Sequence, residues 1–118
     1  MFLSEQHKRL YDTCIRKDET NPRDNERKAL FYILSGSDDL VGKGIDSFYD
    51  FEERAINSEA LETVDLSSGS RALVLLAFNL YNNYRPERPL TVLETFTGLD
   101  EKNTQIALNA IKLRLDLL

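Results

Sequence analysis

The side chains of this sequence best suited to nucleophilic or acid–base chemistry are one cysteine, Cys14, and one histidine, His7. A thiol enzyme needs its base within hydrogen-bond reach of the sulfur. Seven residues on one predicted helix face separate this pair by two turns, about 10 Å along the axis, which is too far. The spacing predicts a buried cysteine and a partly exposed histidine. A lone cysteine also excludes an internal disulfide and a cysteine pair for a metal. Asp46, Asp50 and Glu53 would share a face if their stretch is helical, and hard cations take carboxylate oxygens. Their spacing is not that of a calcium loop and no histidine joins them. The expectation is a solvated acidic face, with no metal and no cofactor; its functional rival is a surface that recognises a basic protein partner.

Gly42-Lys43-Gly44 lacks the glycine spacing and the Gly-Lys-Ser/Thr ending of a phosphate loop and reads as a flexible turn. Ser67-Ser68-Gly69-Ser70-Arg71 opens a predicted helix. Its backbone amides, the hydroxyls of Ser68 and Ser70 and the Arg71 guanidinium could hold a small anion. The competing reading is serine capping with a structural salt bridge from Arg71. Arg23, Arg27 and Lys28 give a small basic face on a second helix, which ordinary solvated helix surface explains equally well. No constellation reaches the specificity of a catalytic motif, and the sequence points away from an enzyme.

The elements that must position these residues are helical. Ser4 can cap a first helix whose buried stripe runs through Leu3, His7, Leu10 and Cys14 and which must end before Asn21-Pro22. Asn21 as cap and Pro22 at the first helical position suit a second helix. Its later half, Ala29 to Leu34, is apolar almost all round and should be wrapped by neighbours, with Gly36 as a left-handed cap. Ser37 opens a short helix through Leu40 and Val41, stopped by Gly42 and Gly44. Ile45, Phe48 and Phe51 suit either a helical turn or two or a loop pinned by aromatics. Ser58 can cap another turn holding Leu61 and Val64. Ala72 to Tyr81 is the clearest core element, expected to form the central helix over about 70–83. Thr91 and Glu94 match a capping box ahead of a short helix ending at Gly98. Asp100 caps a last helix from Glu101 to about Leu117.

That last helix carries more apolar surface than one stripe needs. Ile106, Ala107, Ala110, Ile111 and Leu117 can face the core, while Leu108, Leu115 and Leu118 extend toward a second side. Internal coverage is the simpler expectation, and a contact surface for a protein partner or a second copy is its rival. The expected architecture is all-α: one compact domain over 1–118, with about five to seven helices around the 70–83 helix.

Composition sets the setting. The 42% apolar and 30% charged content is that of a globular protein. The longest apolar run, Ala72 to Phe78, falls far below the roughly 20 residues that span a bilayer. The N-terminus lacks the basic lead and apolar run of a secretory signal. A reducing, cytoplasmic setting is expected. The net charge is −5 and unevenly placed. Between Asp38 and Leu66 nine acids stand against two bases, and elsewhere 11 acids against 13 bases. This balance argues against non-specific nucleic-acid binding, which needs a basic face.

Three segments together carry a resemblance: Glu26 to Ile33 with Asp39-Leu40 and Gly44-Ile45; Ser70 to Leu73 with Leu76 to Asn82; and Gly98 to Asp100 with Ala107 to Ile111. The set resembles a small uncharacterised family, a "domain of unknown function" of Gram-positive bacteria and their mobile elements. The resemblance covers nearly the whole chain and implies no activity and no functional residue. Three roles compete. The leading one is a non-enzymatic regulator or adaptor acting through its helical surface. The second is a phage or mobile-element inhibitor presenting the acidic 38–66 surface to a basic groove. The third is a small anionic-ligand binder or enzyme at the Ser68–Arg71 helix start.

Overall fold

The computed structural model describes residues 1–118 and is mostly helical. Seven α-helices follow in order: α1 (Glu5–Asp18), α2 (Asn25–Gly36), α3 (Asp38–Lys43), α4 (Ala60–Thr63), α5 (Ser68–Asn82), α6 (Val92–Thr97) and α7 (Glu101–Arg114). Between α3 and α4 lie a 3-10 turn (Ile45–Ser47) and a two-stranded antiparallel hairpin. Its strands are β1 (Tyr49–Asp50) and β2 (Ala55–Ile56), with Tyr49 opposite Ile56.

The helix starts follow local chemistry. Ser4, Ser37, Ser67 and Asp100 each accept a hydrogen bond from the backbone amide three residues on, and Thr91 with Glu94 completes a capping box. Each cap satisfies an amide that the helix itself leaves without an acceptor.

Helix α5 is buried over most of its length, as expected of the 70–83 segment, and α2 shares the centre with it. Every residue of α2 from Ala29 to Gly36 is buried, because α1, α3, α5 and α7 surround that half. One connected core of 21 buried residues joins Tyr11 and Cys14 of α1 to Phe31 and Tyr32, to Phe48 and Tyr49 beside the hairpin, to Phe78 and to Ile106.

Several local expectations are corrected. Helix α2 is capped by Asp24, which accepts from the Arg27 amide, while Asn21 closes a turn on the Arg23 amide and leaves Pro22 outside the helix. A carboxylate cap that also pairs with the Arg27 guanidinium at 2.9 Å outcompetes an amide cap. Gly36 is the last residue of α2, not a left-handed cap; Ser37 follows in extended backbone and at once caps α3. The left-handed glycine is Gly44, at φ +91°. Ser58 supports α4 through its carbonyl, which accepts from the Leu61 amide, not through its side chain.

Helix α7 stops at Arg114, where Asp116 turns left-handed at φ +60°, so Leu117 leaves the core and is exposed. His7 is buried, not partly exposed. Asp46, Asp50 and Glu53 share no helix; they fall on the 3-10 turn, β1 and the hairpin turn.

Candidate interaction surface

Two polar networks are built into the core, and their side chains satisfy one another. In the first, His7 is the third residue of α1 and sits under α2. A carbonyl only accepts, so Nε2–H of His7 donates to the Tyr32 carbonyl at 2.9 Å, and Nδ1 accepts from the Leu3 amide at 3.3 Å. Burial pushes the His7 pKa below 6.5, and the nearby Lys102 charge pushes the same way. Tyr32 donates its hydroxyl to the Met1 carbonyl, and Asn109 Nδ2 donates to the Tyr32 hydroxyl at 2.9 Å. This ties the start of the chain to α2 and α7.

The second network surrounds Asp18, the last residue of α1, whose side chain is fully buried. Its carboxylate accepts from the Tyr49 hydroxyl at 2.6 Å, from Nε and Nη2 of Arg54 at 3.1 Å each, and from Thr20. Burial alone would raise the Asp18 pKa, but the bonds from Arg54, Thr20 and Tyr49 outweigh it and hold the carboxyl below its usual value. Arg27 donates Nε to the Tyr49 hydroxyl at 3.0 Å, pairs with Asp24, and lies over the Tyr81 ring. Arg54 reaches Asp18 from a left-handed backbone, φ +55°, at the hairpin turn. No buried side-chain nitrogen or oxygen in the structure lacks a partner.

The residues singled out in the sequence are placed as follows. Cys14 is buried against the core, and burial pushes its thiol up to about 12. Ser70 donates its hydroxyl to Asp39, and Arg71 Nη1 donates to the Leu61 carbonyl at 2.7 Å. Ser68 is exposed in the first turn of α5. Asp46, Asp50 and Glu53, though on different elements, border one shallow depression with Lys17 and Phe51. Asp50 Oδ1 accepts from the amides of Glu52 and Glu53.

Leu108 and Leu115 are exposed, at 42% and 60%. Leu108 lies on α7 and Leu115 is its C-cap, seven positions on, with Ile111 between them at i+3. Ile111 also lines a cleft of about 250 Å³ between α5, α6, α7 and the Tyr84–Leu90 strap. Leu75, Leu76 and Phe96 line the same cleft, and its only charged lining residue is Arg85. Val92, which lines it, is 78% exposed, and Leu93, 77% exposed, lines a separate depression with Ser68, Ala72 and Leu90. Leu90 lines both depressions, and Val92 and Ile111 border the cleft itself.

Sequence reasoning missed Asp18, Arg54, Tyr32, Asn109, Val92 and Leu93 as notable positions. A signal existed for two of them. Asp18 continues the buried stripe His7, Tyr11, Cys14 at helical spacing, and Asn109 stands inside the stripe Ile106, Ala110, Leu113. A polar residue on a core stripe announces a buried hydrogen-bond partner.

A small all-α fold with an internally satisfied polar core and an uncovered apolar face is the class of molecule these observations define. The chain belongs to DUF6075, a family of unknown function, whose match runs over residues 1–116. No curated protein and no solved structure matches it. No helix is long and apolar enough to cross a membrane.

Proposed function

We propose that this chain is a non-enzymatic interaction protein, a cytoplasmic regulator or adaptor of one domain. It binds a protein partner through the face formed by the 84–90 strap, α6 and the outer stripe of α7. The observation that carries this reading is the clustering of exposed apolar side chains. Leu90 and Val92 are exposed at one cleft, and Leu93, Leu108 and Leu115 are exposed nearby in sequence on α6 and at α7, whereas α2 and α5 bury most of theirs. Exposed apolar clusters of this kind mark interaction sites on soluble proteins. A buried, protonated thiol on the only cysteine suits a reducing compartment.

The rival roles draw less support. An acidic mimic needs its carboxylates on one face, but Asp38 pairs with Lys102, Asp39 accepts from Ser70, and Asp46, Asp50 and Glu53 fall on three different elements. An anion site at Ser68–Arg71 would have to displace Asp39 and the Leu61 carbonyl from their partners.

The test is affinity capture from source-cell lysate with the wild-type chain and with a Val92→Glu/Leu115→Glu variant. Both positions are exposed, so the fold should survive, as far-UV circular dichroism would verify. A stoichiometric partner retained by the wild type and lost by the variant is the expected result. Equal capture by both would move the interaction elsewhere, and no partner alongside a monomeric mass would end the reading.

A further inference from the structure

Residues 1–4 fold back over the start of α1, and one titratable side chain helps to hold them there. Phe2 sits in an aromatic cluster with His7, Tyr11 and Tyr32, at ring-centroid distances of 5.2, 5.0 and 5.8 Å. Hydrogen bonds fix the backbone on either side of it. His7 Nδ1 accepts the Leu3 amide at 3.3 Å, and the Met1 carbonyl accepts from the Tyr32 hydroxyl and from Asn109 Nδ2. The two nitrogens of the His7 ring are therefore committed in opposite senses, Nδ1 as acceptor and Nε2–H as donor to the Tyr32 carbonyl. An imidazolium donates at both nitrogens. A second proton leaves the Tyr32 bond intact but sets Nδ1–H against the Leu3 N–H, donor facing donor. The surrounding charges add to the conflict. The N-terminal ammonium of the segment and Lys102 of α7 both oppose a positive ring, and Lys102 is itself paired with Asp38 of α3 at 2.9 Å. Tyr32 of α2, 4.5 Å from His7 between ring centroids, and Tyr11 of α1 stay neutral phenols, because burial raises both of their pKa values. Lys8, over the Phe2 ring, is paired with Asp12, and no carboxylate pairs with His7.

We infer that residues 1–4 form a pH-sensitive clasp: protonation of His7 releases them from α1, α2 and α7 while the bundle stays folded. The geometry confines the release to this segment. The 21-residue core includes neither Phe2 nor Leu3, which are only partly buried and pack onto it from outside. The His7–Tyr32 bond that ties α1 to α2 survives protonation, since Nε2 remains a donor. The Leu3 bond does not survive, and with it goes the anchor that keeps Met1 on Tyr32 and Asn109. Release lets Nδ1–H, the Leu3 amide and the Met1 carbonyl each find water, so no polar group is stranded. The clasped form binds the proton less readily than the released one, so it prevails at neutral pH and gives way as pH falls below 6.5. The device is separate from the proposed interaction face, and no residue belongs to both.

The experiment is an NMR titration of the full, isotope-labelled chain from about pH 7.5 to about pH 4.5. Backbone order at residues 2–4 and protection of the Leu3 amide should be lost together, at the midpoint where the His7 Cε1 proton titrates. Both should return on neutralisation, while the amides of α2 and α5 keep their native positions throughout. His7→Gln should abolish the transition. Tyr32→Phe removes one bond to the Met1 carbonyl and should move the midpoint up by about 0.5–1 pH unit, the worth of one hydrogen bond. If His7→Gln does not fold, the Tyr32→Phe shift decides, and an unmoved midpoint overturns the inference. A clasp that holds while His7 titrates, a ring that stays neutral over the whole range, or release that persists in a folded His7→Gln would each overturn it. So would residues 2–4 already mobile at neutral pH, or bundle amides that collapse together with them. None of these outcomes bears on the interaction face, which is tested by capture of a partner.

Discussion

His7 shows how a single side chain fixes its own chemistry through its neighbours. Its Nδ1 accepts the Leu3 amide, so a proton there would break that bond and place a charge under α2. Because the folded pKa is lowered from 6.5, the unfolded chain binds the proton more readily. The stability contributed by neutral His7 is complete above pH 6.5 and is lost as pH falls from there through the lower folded value. Urea midpoints should therefore decline between neutral pH and about pH 5, and His7→Gln should flatten that part of the profile. Asp18 behaves in the opposite range. Its carboxyl is held below 3.8, so its contribution is present above that value and disappears only as pH drops through the depressed one. Asp18→Asn leaves the buried Tyr49 phenol and the Arg54 guanidinium at the hairpin turn badly matched and should cost roughly 3 kcal/mol by chemical denaturation at neutral pH. A loss under 1 kcal/mol would show that water replaces the network cheaply.

At the scale of elements, Gly36 is where close packing constrains the sequence. A Cβ built there would lie 2.8 Å from His7 Nε2 and 3.3 Å from Ile106 Cδ1. The His7 ring is held by two hydrogen bonds and cannot give way freely. Gly36→Ala should thus destabilise by about 1–3 kcal/mol, although alanine is the better helix former, and thermal melts would read the difference. Much of this scale was legible in the sequence. Ser4, Ser37, Ser67, Thr91 and Asp100 cap their helices through residues within one turn, and local chemistry is visible locally. What the sequence concealed depends on distant partners. The choice of Asp24 over Asn21 involves Arg27, which also reaches the Arg54 carbonyl; the hairpin is pinned by Arg54 to Asp18, 36 positions away. Leu117 looked like core because its spacing continues α7, yet the left-handed turn at Asp116 ends the helix first. The interaction face was half legible: surplus leucines on α7 were visible, but their exposure depended on what the strap and α6 left uncovered.

Across the whole molecule, α2 joins the parts. It contacts α1, α3, α5 and α7, and the 21-residue core runs through it without a break. None of α1, α5 and α7 can leave the bundle without opening that shared centre. Unfolding followed by far-UV circular dichroism and by near-UV tyrosine signals should give coincident transitions in urea. An early loss of the tyrosine signal alone would separate the hairpin region, which holds Tyr49, from the helices.

The seating of α7 against α2 also bears on the order in which the chain can be assembled during translation. Ile106, Ala107 and Ala110 close over α2 from a segment made well after it. While the ribosome is still adding those residues, the apolar surface of Ala29 to Leu34 has already been made and lacks its last cover. The nascent polypeptide therefore passes through an interval in which that surface is open to chaperones or to aggregation, until α7 packs onto it.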